Sequence, residues 1–265
     1  SVRESLQLEQ RAHYLDPLHA AVFSVLSDFK FTYGLDVDLN LEAAKNNHPD
    51  RYFDYQIGEH FNRKSWADAI ELTRNTRDHE YSLYVESIFS TFLKMEDDAL
   101  LARAIAQNQA GGHDDYLYAS IIFGYLDRAE AYLKGLDAGD LREASPAAYS
   151  GYIKYIAGRS AEAESLLLQA LTPSDYSYYQ APSNILSGLS LSIYLADVLR
   201  QNGKEEASGS YLREARETIQ RLKRNGARAG FLLAEARLNV LEGDITGAVE
   251  LLNAADDHAE VLWFS

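Results

Sequence analysis

The sequence predicts an all-α fold: a right-handed superhelical solenoid of antiparallel helix pairs, continuous as one domain over residues 1–265. Three observations predict it. Only five prolines occur in 265 residues, and extended period-2 alternation is nearly absent, so strands find little support. Windows such as Ser65 to Thr76 and Ser160 to Leu171 carry apolar or small residues at three- and four-residue spacing, which is one face of a helix. Helix breakers recur at Gly34, Lys64-Ser65, Lys94 to Asp97, Leu126-Asp127, Gly158, Gly203 and Gly243. Their spacing is about 30 to 32 residues at first, then about 45 and 40, the range of stacked helical hairpins.

Arg3 to Tyr14 reads as the second helix of a pair whose first helix is missing. The segments Ala12-His-Tyr-Leu-Asp-Pro17 and Ala44-Lys-Asn-Asn-His-Pro49 repeat one phrase 32 residues apart, each closing a repeat. Between them, Asp36-Val-Asp38-Leu-Asn40 starts like a calcium loop. Its sixth position is Leu41, where the sharp turn needs glycine, and its twelfth is Asn47, where a bidentate Glu is expected, so it reads as a helix-capping turn. Trp66-Ala-Asp-Ala69-Ile-Glu has the pattern of a loop entering a second helix, with Gly58 in the first helix before it.

The spacing is clearest around Gly151 and Gly158, where a turn glycine is followed by Ala163 five residues on, Ala170 seven further, and then Pro173. It returns at Gly243, Ala248 and Ala255, and with serine at Gly203, Ser208 and Ala215. Without the glycine, the pairs Ala99/Ala106 and Ala131/Ala138 are aligned with it. This set resembles the tetratricopeptide repeat, in which small residues let the second helix cross the first closely. The departures are a missing aromatic early in the Gly151 copy, an early Pro173 and longer helices toward the end. Residues 1–173 are thus expected to form regular short hairpins and 183–265 longer ones, joined by a loop over 174–182. Glu205 to Arg224, stopped by Asn225-Gly226, should be a helix of about 20 residues, or ~30 Å.

Composition narrows the function. Twenty-five basic against forty acidic side chains leave a net charge of -15, which repels a phosphate backbone or an anionic membrane. Direct nucleic-acid binding is therefore not expected. The longest charge-free stretch, Tyr176 to Ala196, holds five serines and two Gln/Asn side chains, too polar to insert in a membrane as a helix. There is no cysteine, and the seven histidines, among them His48, His60, His113 and His258, never pair at a metal-ligand spacing, so neither metal nor cofactor is expected. No phosphate-cradling loop, dinucleotide fingerprint, nucleophile elbow or zincin helix occurs. Ser1-Val-Arg-Glu-Ser-Leu lacks an initiator Met and an apolar leader core, so the chain reads as a piece of a longer protein.

Tyrosines cluster in successive first helices of the pairs. Registered on Gly58, Ala99, Ala131 and Gly151, the candidate partner-binding face is Tyr52, Tyr55, Glu59, Tyr81, Tyr84, His113, Tyr116, Tyr152 and Tyr155. A phenol ring offers a stiff contact area and a hydroxyl for a peptide carbonyl or carboxylate. The alternative is that the rings fill gaps between adjacent helices. One stretch runs against the acidic composition: Tyr211 to Arg228 holds Arg213, Arg216, Arg221, Lys223, Arg224 and Arg228 against Glu214 and Glu217. It is either a docking surface for an acidic partner or headgroup, or a solvated face with cations near a helix C-terminus.

The phrase Tyr-Leu-Asp-Pro17, the late long hairpin, and Ala-Val-Glu250-Leu-Leu-Asn-Ala-Ala followed by Val261-Leu-Trp-Phe264 resemble the C-terminal repeat regions of bacterial regulators. These are the CadC-like winged-helix transcriptional activators and related nucleotide-cyclase signalling proteins. The resemblance implies a noncatalytic interaction or sensory domain whose partner is a peptide, a protein or its own absent N-terminal domain. It favours the periplasm slightly over the cytoplasm. Two other classes stay open: an enzyme on a helical solenoid using Glu59, Asp114 and Asp115 as acid and base, and a purely structural oligomerisation domain.

Overall fold

The computed structural model describes residues 2–16, 19–63, 65–75, 117, 120–121, 124–136, 145–171 and 185–257. All regular structure among the described residues is α-helix. In chain order the helices are α1 (Val2–Leu15), α2 (Ala20–Tyr33), α3 (Leu41–Asn47), α4 (Pro49–Asn62), α5 (Trp66–Asn75) and α6 (Leu126–Leu133). They continue with α7 (Pro146–Ile156), α8 (Ser160–Ala170), α9 (Ile185–Gln201), α10 (Glu205–Arg224), α11 (Leu232–Glu242) and α12 (Ile245–Asp257). The chain divides into two compact units. One joins residues 1–65 to the described residues from 216 onward, the other holds 66–215, and the boundary falls inside α10.

In the first unit α2 buries Phe23, Leu26, Phe29 and Tyr33, a three- and four-residue spacing that turns one apolar stripe inward. Gly34 ends it in the left-handed region, at φ 61°, with its N–H returned to the Phe29 carbonyl. A side chain is disfavoured there twice over, since a Cβ would also lie 3.3 Å from the Ala229 Cβ, tighter than ordinary contact. The Tyr33 carbonyl next to it accepts the N–H groups of Arg228 at 2.9 Å and Ala229 at 3.3 Å. Segments from the two ends of the sequence are thereby hydrogen-bonded to each other. Nothing in a repeat pattern announces this contact, because such a pattern speaks only of neighbouring pairs.

The stretch from Asp36 to Asn40 is the capping turn its sequence indicates: Asn40 Oδ1 accepts from the Ala43 N–H at 3.0 Å and opens α3. The Asn40 N–H donates to His13 Nε2 at 3.1 Å, which fixes α1 to the same turn. Phe23, Ala44 and Tyr55 form a core cluster with Phe31, Leu39, Leu41 and Tyr52 against it. Gly58 is needed on α4, because a Cβ would sit 2.6 Å from the Phe31 ring. Farther along the chain, α12 packs on α11 across Gly243, which has φ 87°, and buries Ala248 and Ala255.

In the second unit α7 and α8 pack on each other across the turn at Gly158, φ 72°. A Cβ on Gly151 would meet the Leu167 side chain at 2.9 Å and its backbone nitrogen at 3.1 Å. The two backbones therefore approach as closely as the small-residue pattern demands, and Ala163, Leu167 and Ala170 are fully buried. Helix α9 packs on both and is buried all round: every residue from Leu189 to Ala196 lies inside. Beyond Gly203, Ser208 takes the small-residue position and stays buried, its hydroxyl donating to the Ala196 carbonyl at 2.7 Å.

The register around α6 needs correction. The expected breaker at Leu126-Asp127 is the start of the helix itself; the turn lies at Gly124, φ 77°, and Tyr125. The small residue five positions after that glycine is Ala129, which is fully buried, whereas Ala131 is exposed. The glycine-plus-five spacing thus holds at Gly124, Gly158, Gly203 and Gly243, and the alignment on Ala131 is two residues late. The physical reason is plain: Ala131 lies two residues, about 200°, around the helix from the buried stripe.

Candidate functional site

Five of the nine residues expected on the tyrosine face are among the described ones: Tyr52, Tyr55 and Glu59 on α4 and Tyr152 and Tyr155 on α7. On α4, Tyr52, Tyr55 and Glu59 sit at three- and four-residue spacing and share one side of the helix. The Tyr55 ring is core: it is 7% exposed and packs at 6.0 Å from the Phe23 ring and 5.3 Å from Phe31. Its hydroxyl, at the rim, donates to Glu59 Oε1 at 2.9 Å and accepts from Lys30 Nζ at 2.7 Å. Lys30 also donates to Glu59 Oε1 at 2.8 Å, and Arg63 donates to Glu59 Oε2 at 2.7 Å. The ammonium lies 4.9 Å from the centre of the Tyr55 ring, within cation–π range. Tyr52 stacks on Tyr55 at 6.5 Å, nearly parallel at 14°, and is half-buried.

These contacts fix protonation. Burial alone would raise the Glu59 carboxyl, but hydrogen bonds from Lys30 and Tyr55 and the charges of Lys30 and Arg63 outweigh it and hold the group below the usual carboxylate range. Burial opposes the Lys30 charge, yet the bonds to Glu59 and Tyr55 leave its pKa raised. Burial first, then the bond to Glu59, pushes the Tyr55 phenol up against the opposing pull of Lys30. The cluster is a closed, ionised network with Tyr52 at its edge.

On α7, Tyr149 is fully buried, while Tyr152 and Tyr155 are half-buried. Both stack on the buried Tyr194 of α9, with centroids 4.9 and 5.1 Å away and planes within 28° and 27°. The Tyr155 hydroxyl donates to Asp197 Oδ2 at 2.7 Å. Between the two rings in sequence, Lys154 turns inward and meets Glu130 of α6 at 2.6 Å. Lys134 and Arg159 approach the same carboxylate at 3.5 and 3.7 Å. The Lys154 hydrogen bond and then the lysine charges, against burial, hold Glu130 below its usual range.

Tyr81, Tyr84, His113 and Tyr116, with the acid candidates Asp114 and Asp115, lie outside the described residues. Sequence reasoning did not find Lys30, Tyr194 or Asp197. Lys30 had a signal: it is the lone cation of α2 and stands between Phe29 and Phe31, so its ammonium must reach past apolar rings to a polar partner. Asp197 had none, because the residue it meets is 42 positions away.

The basic stretch is divided. Arg216 donates to Asn239 at 3.0 Å and pairs with Glu242 and Glu235, and Lys223 donates to Glu235 at 2.7 Å. Two of its cations are therefore spent fastening α10 to α11. Of the histidines, His13 accepts from Asn40 and His60 bonds Ser65 at 2.9 Å. Among the described residues no group of three or more potential ligands is placed to hold a metal ion, and no helix is long and apolar enough to cross a membrane.

No protein-family model matches the chain, and neither a curated protein nor a solved structure does.

Proposed function

We propose that the chain is a noncatalytic protein-interaction or sensory repeat domain of a larger bacterial signalling or transcriptional regulator. In this reading the helix pairs stack as a right-handed, tetratricopeptide-like solenoid, and the tyrosine-bearing faces take a peptide, a partner protein or a neighbouring domain. The solenoid reading is supported by turn glycines followed five residues later by a buried small residue, at Ala129, Ala163, Ser208 and Ala248. The resemblance to the repeat regions of membrane-anchored regulators slightly favours the periplasm over the cytoplasm.

The observation that carries the binding reading is the bracing of the half-exposed rings. Tyr52 rests on Tyr55, and Tyr152 and Tyr155 rest on Tyr194, with the Tyr55 and Tyr155 hydroxyls fixed by charged groups. A ring already held in place loses little side-chain entropy on binding, which is the property of an anchor. The enzyme reading is less favoured by the described part of its site. Glu59 is ion-paired to Lys30 and Arg63 and held ionised, the opposite of the raised pKa that a general acid needs.

Selection of a displayed peptide library against the 265-residue chain tests the proposal. Enriched peptides should lose about tenfold or more in affinity on Tyr52→Ala or Tyr152→Ala, with helical content unchanged. Peptides that bind both variants as tightly as the parent would refute it.

A further inference from the structure

Helix α10 points Ala215, Ile219 and Leu222 into the core and its flank residues Arg216 and Lys223 at carboxylates of α11. Arg221 and Arg224 lie on the opposite, exposed side. After the Asn225-Gly226 turn comes Arg228, whose side chain is exposed while its backbone N–H is tied to the Tyr33 carbonyl. Among the described residues none of these three guanidinium groups has an ion pair or hydrogen bond. The exposed carboxylates of Glu217 on α10 and of Asp36 and Asp38 after α2 form no salt bridge with them either.

From the exposed, unpaired Arg221, Arg224 and Arg228 on an anchored helix end, we infer a docking point for a short acidic protein segment, rich in aspartate or glutamate. The helix dipole accounts for cations in the last turn of α10, but its effect fades within that turn, and Arg228 lies beyond it. The cations that serve the fold are already used on α11. Those left over are all arginine, whose planar fork suits carboxylate oxygens in pairs. The whole-chain charge of -15 chooses the size of the partner. A long nucleic acid or an anionic bilayer extends past the patch and meets the repulsive remainder of the surface, whereas a few carboxylates on a peptide meet the arginines alone.

The test is fluorescence anisotropy of a labelled oligoglutamate peptide with the 265-residue chain, run beside a labelled single-stranded oligonucleotide and vesicles containing phosphatidylglycerol. The peptide should bind, weaken as salt rises, and weaken about tenfold with Arg221→Glu plus Arg224→Glu and less with the two glutamines. A control of equal charge change, Lys45→Glu plus Arg51→Glu on α3 and α4, should leave binding within about twofold, since it leaves all three arginines in place and exposed charges act only over a short screened range. Circular dichroism checks the fold of each variant, and the glutamine pair decides if the reversal unfolds the chain. Absent peptide binding, equal loss in the control, or tighter binding of the oligonucleotide or vesicles would overturn the inference.

Discussion

At the scale of single residues, two alanines two positions apart separate the structure from its alternatives. Ala129 is fully buried and Ala131 is exposed. Ala129→Leu should therefore overpack α6 and lower stability by ~1–3 kcal/mol, while Ala131→Leu stays within about 0.5 kcal/mol of the parent. Urea midpoints measure both; equal effects would mean that the register is misplaced. The sequence carried this information in Gly124, which stands five residues before Ala129 as Gly158 does before Ala163. The alignment on Ala131 missed it because an alanine count does not distinguish a buried small residue from an exposed one. The tyrosines show the same limit. Spacing puts Tyr52 and Tyr55 on one face, but only contacts reveal that Tyr55 is a core ring with a polar tip and Tyr52 its half-exposed neighbour.

At the scale of elements, charged clusters tie helices together, and their linkage to pH has a definite sign. Glu59 has a depressed folded-state pKa, so its contribution is present above the unfolded value near 4.5 and is lost as pH falls through the lower folded value. Lys30 has a raised pKa, so its contribution is complete below 10.5 and is lost as pH rises through the higher folded value. The stability difference between the parent and Glu59→Gln should accordingly shrink on acidification below about pH 4.5. A difference that stays constant across that range would contradict the network. The Lys154 pair predicts an asymmetry. Glu130→Ala strands a buried ammonium and should cost ~3 kcal/mol. Lys154→Met leaves a carboxylate that keeps Lys134, Arg159 and contact with water, and should cost less. Equal losses in denaturant titrations would show that burial of Lys154 is not what sets the cost. Helix existence was legible from periodicity, and α10 runs over Glu205–Arg224 as its pattern indicates. The partners across helices were not, because Lys30 with Glu59 and Tyr155 with Asp197 are long-range pairs that no local pattern encodes.

At the scale of the whole molecule, the bonds from Arg228 and Ala229 to the Tyr33 carbonyl tie the start of the chain to its later helices. Gly34→Ala tests that closure: its left-handed backbone and the 3.3 Å approach to Ala229 both oppose a side chain. The variant should lose about 1–2 kcal/mol, and hydrogen exchange should rise at Arg228 and Ala229. Exchange unchanged at those two amides would show that they are protected by something else. The central claim is that the tyrosine-bearing faces of α4 and α7 bind a protein segment, and ring resonances report on it most directly. In spectra of the full chain with carbon-labelled tyrosine, titration with a selected peptide should shift the rings of Tyr52, Tyr152 and Tyr155 and leave the buried ring of Tyr149 in place. Saturation by the peptide with those three resonances unmoved would contradict the account.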